Sequence, residues 1–167
     1  FDADWEERAL YLLDGEIEAI ITPRMPSCHG AENNVGWLFP SPRAAAMDYY
    51  RRTAIFPVMH LLGIRRDLVD AHPWLPATVM KGFTAAKRVC AERLADTSAT
   101  KVMLPFVEEA LQDARQLMGE DFWSYGFDGN RAMLETFLRH HHAQGLSPRL
   151  VSPEELFHPS TLESVVI

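Results

Sequence analysis

"YYRRTAIFPVMHLLGI", residues 49 to 64, sets two tyrosines, two arginines and a threonine at the mouth of a nearly continuous apolar run. Such a run, without polar alternation, reads as a strand buried on both faces, and strands of that kind belong to α/β folds. Pro57 lies near its start, where a missing N–H is tolerated. The basic residues before it have two readings. They form either an ordinary helix end, where cations complement the carbonyl dipole, or the wall of a pocket for an anionic ligand.

Working outward, residues 41–52 read as a helix with Ser41 as N-cap and Pro42 at the first helical position. Upstream, 2–14 carries Trp5, Ala9 and Leu12 or Leu13 at helical spacing, and Gly15 reads as the stop. "EIEAIIT" follows as a short strand that Pro23 ends, and 24–36 has loop composition. Downstream, apolar spacing predicts a helix over 73–94 through Leu75, Val79, Phe83, Cys90 and Leu94. A second helical stretch covers 98–118, interrupted at Pro105 and closed by Gly119, with Phe106, Ala110, Leu117 and Met118 on one face. A third covers 130–143, with Met133, Leu134, Phe137, Leu138 and His141 aligned. "SPEE" at 152–155 is a capping box that opens a last short helix. Two strands make a poor sheet, so their partners are expected outside this chain or in another.

The totals bound the function. At 167 residues the chain suffices for one domain or part of a two-lobed protein. An apolar fraction of 47% and a net charge of −7 describe a globular protein poorly suited to nucleic acid or anionic membrane. No apolar run approaches the ~20 residues of a membrane span. Cys28 and Cys90, without a CxxC pair, argue against a disulfide framework or structural zinc.

Chemistry concentrates in two places. In "TPRMPSC", residues 22–28, two prolines stiffen a loop beyond the first expected strand, presenting Arg24 and Ser27 where α/β sheets bind ligands. In the opening stretch, Tyr50, Arg51, Arg52 and Thr53 surround a possible anion, and His60 lies within the apolar run as either a core residue or an acid/base. "RHHHAQG" at 139–145 invites a metal reading, but consecutive histidines on a helix diverge, so no metal is expected. Neighbouring Cys28 and His29 are a weak nucleophile pair. Helix packing accounts for Phe122 and Trp123 in "EDFWSYGFDGNR", and Tyr125 is free to reach a ligand.

Five blocks in order, "TPRMPSC", "YYRRTAIFPVMHLLGIRRD", "HPWLP", "LMGEDFWSYGFDGNR" and "TFLRHHHAQGLSPR", resemble the C-terminal half of the 4,5-dihydroxyphthalate decarboxylase family. That family is similar to type II periplasmic substrate-binding proteins. The resemblance implies two α/β lobes with an interlobe cleft, of which this chain is the helix-rich C-terminal half. Residues 1–35 would be the last segment of one lobe, and 36–167 the return segment of the other with the C-terminal helices. An N-terminal half of the same protein would supply the missing strands, and copies could associate. The implied activity is decarboxylation of a dihydroxylated aromatic dicarboxylate, in the cytoplasm and without a cofactor. Arg24 and Arg51 would clamp the anion, His60 and Arg51 would serve catalysis, and Ser27, Tyr50, Arg52 and Thr53 would bind substrate. The alternative is a periplasmic or extracellular solute-binding protein of an ABC-type transporter, holding a small carboxylate; a helical interaction module would leave both loops without a purpose. Two departures bear on the ligand: Ala54 replaces an expected glycine, and "CHG" at 28–30 replaces a bulky apolar residue.

Overall fold

A computed structural model describes residues 4–98 and 102–163. Six α-helices follow in order: α1 (Asp4–Leu13), α2 (Pro42–Thr53), α3 (Arg66–Ala71), α4 (Leu75–Ala95), α5 (Val107–Met118) and α6 (Arg131–Ala143). Short 3-10 turns cover Ala31–Asn33, Asp128–Asn130, Pro153–Leu156 and Pro159–Thr161. The chain divides into two compact units at Asp48, within α2. The side chain of Trp5 and residues 99–101, part of the expected helical patterns, lie outside the described residues.

The first unit is organised around one small contact. Ala9 on α1 and Cys28 are buried, and the Cys28 thiol donates to the Ala9 carbonyl at 3.4 Å. Asn33 fixes the following turn by donating its side-chain amide to the Cys28 carbonyl at 3.0 Å. Gly30 and Val35 then exchange backbone hydrogen bonds of 3.0 and 3.3 Å across an isolated antiparallel bridge. The His29 ring leans on Trp37, centroids 5.3 Å apart. Cys28 is thus a packing residue, as a small apolar side chain with a weak donor commonly is.

In the second unit the core joins α5, α6 and the loops around them. Leu111, Phe127, Leu134 and Leu138 are buried, each removing enough apolar surface to contribute about 1.5–3 kcal/mol. Phe127 meets Phe157 edge to face at 5.5 Å, with the Arg131 guanidinium 4.5 Å from its ring centroid. α4 packs on α3, α5 and the Pro159–Thr161 turn, while α6 packs on the two 3-10 turns flanking it in sequence.

The last turn is pinned by charge. Arg149 donates twice to Glu155, at 3.0 and 2.5 Å, and the Ser152 N–H adds a third bond at 2.9 Å. The Arg149 bond, followed by the backbone N–H, lowers the Glu155 carboxyl from 4.5 to about 2. A depressed carboxyl favours the folded state in full above its unfolded value of 4.5. That contribution fades as pH falls and is lost through about 2. Arg131 also pairs with Glu154, through one guanidinium nitrogen and one carboxylate oxygen.

Several expectations are corrected. Neither 16–22 nor 55–64 forms a strand; both are irregular, with only bends assigned in 16–18. A strand exists through hydrogen bonds to a neighbouring strand, and the described residues supply none, so the apolar pattern alone does not produce one. Of the stretch expected over 98–118, the described residues form a helix from Val107, after the interruption expected at Pro105 and with Phe106 at φ +65°. Its buried face centres on Leu111, while Phe106 and Ala110 are exposed. The short helix α3 had no clear apolar period to announce it; Arg65 and Asp67 start it with a two-pronged ion pair of 3.0 and 2.6 Å. The short last helix expected after Ser152 is present as a 3-10 helix over Pro153–Leu156, with its capping box formed.

Candidate functional site

The end of α2 is built from local hydrogen bonds. The Thr53 hydroxyl donates to the Tyr49 carbonyl at 2.8 Å and accepts from the Ile55 N–H at 3.2 Å. The Ala54 N–H closes the helix on the Tyr50 carbonyl at 2.7 Å, and Ala54 itself stands at φ +53°. That is the left-handed cap position glycine normally fills, as Gly119 does after α5 at φ +88°. The sequence departure at 54 therefore has a physical meaning. An alanine there is strained by about 1–2 kcal/mol, partly offset by the lower unfolded-state entropy of a side-chain-bearing residue. Ala54→Gly should raise stability by up to about 1 kcal/mol, read as a melting temperature higher by roughly 2–4 °C. An unchanged or lower melting temperature would show that the neighbouring bonds already absorb the strain.

With its hydroxyl held by the backbone at both ends, Thr53 caps α2, and the helix-end carbonyls nearby repel an anion rather than hold it. Any anion here would therefore depend on the guanidinium groups. Arg51 and Arg52 both occupy the last turn and are exposed; Tyr50 is half-buried. Beyond the cap, Ile55, Val58 and Ile64 are half-buried, whereas Phe56, Met59, His60, Leu61 and Leu62 are exposed. The expectation of a run covered on both faces, with His60 as a core residue, is thus corrected: among the described residues no neighbouring strand covers it, and His60 is exposed.

Arg24 and Ser27 belong to the first unit and are exposed, on a loop where Pro26 is buried. The Arg24 N–H reaches the Thr22 hydroxyl at 3.4 Å. In the second unit, Tyr50, Arg51, Arg52 and Thr53 end α2, and His60 lies on the irregular segment that follows. Around the three histidines of α6, His142 contacts the Ser147 carbonyl at 3.2 Å and His141 leans on Phe137. Among the described residues no cluster of three or more His, Cys, Asp or Glu is arranged to hold a metal, and no helix is long and apolar enough to cross a membrane.

Sequence reading missed a second feature of this region. Trp123 packs not on a helix but on Phe56, ring centroids 5.3 Å apart and planes inclined at 58°. The Lys87 ammonium on α4 reaches the same loop, donating to Asp121 at 2.6 Å and to the Trp123 carbonyl at 3.1 Å. The partners are separated by more than thirty residues, so no local spacing could have disclosed them.

No family model matches the chain. A curated relative does: over 157 residues, 93% of this chain, it is 52% identical to a 4,5-dihydroxyphthalate decarboxylase of Comamonas testosteroni. The chain is related to 4,5-dihydroxyphthalate decarboxylase. It spans about half the length of that decarboxylase, 48%, a coverage consistent with its C-terminal half.

Proposed function

We propose that this chain forms the helix-rich C-terminal half of a carboxy-lyase acting on 4,5-dihydroxyphthalate or a close dihydroxylated aromatic dicarboxylate. The observation that carries the reading is 52% identity across nearly the whole chain to an enzyme of that name. The exposed apolar segment 55–64 supports it, since such a segment calls for a covering partner. In the proposed protein, residues from an N-terminal half complete two α/β lobes of the type II periplasmic-binding-protein kind. Residues 1–35 end one lobe and 36–167 return to the other. A cytoplasmic location accords with this enzyme reading. The solute-binding alternative draws no support from the relative's activity.

The chemistry is balanced without an oxidant or reductant. A proton is added to the ring carbon that bears the departing carboxylate, para to a phenolic oxygen that pushes electrons toward it. The C–C bond to the carboxylate then breaks and its electron pair restores the aromatic ring. Carbon dioxide leaves, and the ring keeps the proton. Arg51 and Arg24 are assigned to the carboxylates, with Arg52 and Ser27 as further polar contacts. His60 is assigned as the acid/base, and Tyr50 orients the ring. Thr53 acts through the helix cap that positions Arg51.

The decisive assay gives the full-length gene product 4,5-dihydroxyphthalate and follows carbon dioxide and 3,4-dihydroxybenzoate. Stoichiometric formation of both is expected. Tight binding of the dicarboxylate with no turnover would overturn the enzyme reading.

A further inference from the structure

Residues 55–64 carry His60, yet no regular structure fixes their course. Among the described residues, 56–64 makes no backbone-to-backbone hydrogen bond, and the Ile55 N–H reaches only back to the Thr53 hydroxyl. The place of such a segment is set by side-chain contacts, and its ring contact is Phe56 on Trp123. Trp123 stands on the loop between α5 and α6, which consists of turns and bends. What places that loop therefore bears on His60.

Lys87 reaches it from α4, a continuous helix of 21 residues. Its ammonium donates to Asp121 at 2.6 Å and to the Trp123 carbonyl at 3.1 Å, and it lies 5.0 Å from the centroid of the Tyr125 ring. One cation thus serves residues 121, 123 and 125. Asp121 is largely exposed, and an ion pair to such a carboxylate contributes little. The bond to the Trp123 carbonyl differs, because it holds the residue on which Phe56 rests. On the other side of Trp123, the Asn130 side-chain amide donates to the carbonyls of Ser124 and Gly126 at 3.2 and 2.8 Å, so the backbone there is fixed as well.

We propose that Lys87 is a positioning residue for the reaction: through Trp123 and Phe56 it sets the course of 55–64, and with it the place of His60. This inference rests on the decarboxylase reading and deepens it. Arg51 precedes the segment, in the last turn of α2, where the helix and its Thr53 cap hold the backbone. Lys87 therefore governs turnover rather than anion binding.

The test uses the full-length gene product, with 4,5-dihydroxyphthalate for turnover and phthalate, which lacks the hydroxyl the reaction needs, for binding. Lys87→Leu should lower kcat about ten- to hundredfold, the scale of a small misplacement of a reacting group, and keep phthalate affinity within about threefold. Phe56→Leu, which leaves the ion pair of Lys87 untouched, should lower kcat comparably. The double variant should fall no more than about threefold below either, since both act along one path. Lys87→Arg, with a charged donor retained, should recover part of the loss. A second readout does not depend on turnover: the methyl resonance of the exposed Met59, next to His60, in protein labelled at methionine methyls. It should shift by more than its linewidth in both leucine variants and return toward its wild-type position in Lys87→Arg. Multiplying losses in the double variant, or equal falls in kcat and phthalate affinity, would reduce Lys87 to a stabilising residue and overturn the inference. An unmoved Met59 resonance would overturn it too. If the variants turn over like wild type, the positioning role fails and the enzyme reading stands. If the resonance responds as expected in a protein that releases no carbon dioxide, Lys87 still sets the segment and the decarboxylase reading is removed.

Discussion

Replacing His60 with glutamine in the full-length gene product should abolish carbon dioxide release from 4,5-dihydroxyphthalate while phthalate still binds within about twofold. Glutamine keeps much of the volume and a hydrogen-bonding amide, yet it cannot deliver a proton at neutral pH. Positioned general acid–base catalysis is worth about 10²–10⁴-fold in rate, so the loss should appear in kcat rather than in KM. His60 itself is exposed in an irregular segment, flanked by Met59 and Leu61, which are exposed as well. Protonating a ring carbon requires the ring to be held close and water to be displaced. The proposal therefore demands that the covering half of the enzyme close over this segment. Single-turnover measurements with the variant separate the two steps: binding without product formation is expected. Retained turnover would remove His60 from the mechanism and leave it as a residue of the lobe surface.

What the sequence disclosed, and what it hid, divides along the range of the interactions. Caps and helix stops are decided within a few residues, and they were legible: Ser41 before α2, the glycine after α5, and the Ser152–Glu155 box. The face of α6 was legible in part: Leu134 and Leu138 are buried at the spacing a helix requires, while Phe137 of the same expected set is exposed. The apolar run 55–64 was misread because a strand is a property of two segments, and periodicity reports only one. The bracing of Trp123 by Lys87 was hidden for the same reason. Within the candidate site, local reading misplaced the Thr53 hydroxyl, whose acceptor proved to be a carbonyl four residues earlier. Ala54 runs the other way: the expectation of glycine, taken from the family resemblance, acquired a cause once its positive φ was seen.

Arg51→Ala should weaken phthalate binding about ten- to hundredfold, the scale of one charge-assisted contact of about 1.5–3 kcal/mol. A plainer role competes with this one. Arg51 lies in the last turn of α2, where a cation opposes the negative end of the helix and contributes about 0.3–1 kcal/mol to stability at a surface. The two roles predict different readouts. A dipole partner changes the melting temperature slightly and leaves ligand affinity alone; a ligand contact does the reverse. Lysine distinguishes them further, because Arg51→Lys keeps the charge and hence the dipole interaction but loses the planar two-pronged fork. For the proposed contact, lysine should recover only part of the lost affinity, and the remaining affinity should fall as salt rises. The backbone at this point cannot substitute for the guanidinium, since the Thr53 hydroxyl and the Ala54 N–H are both engaged in ending α2. An alanine variant that binds phthalate like the wild type and melts slightly lower would assign Arg51 to its helix, and the anion would then have to be held from elsewhere.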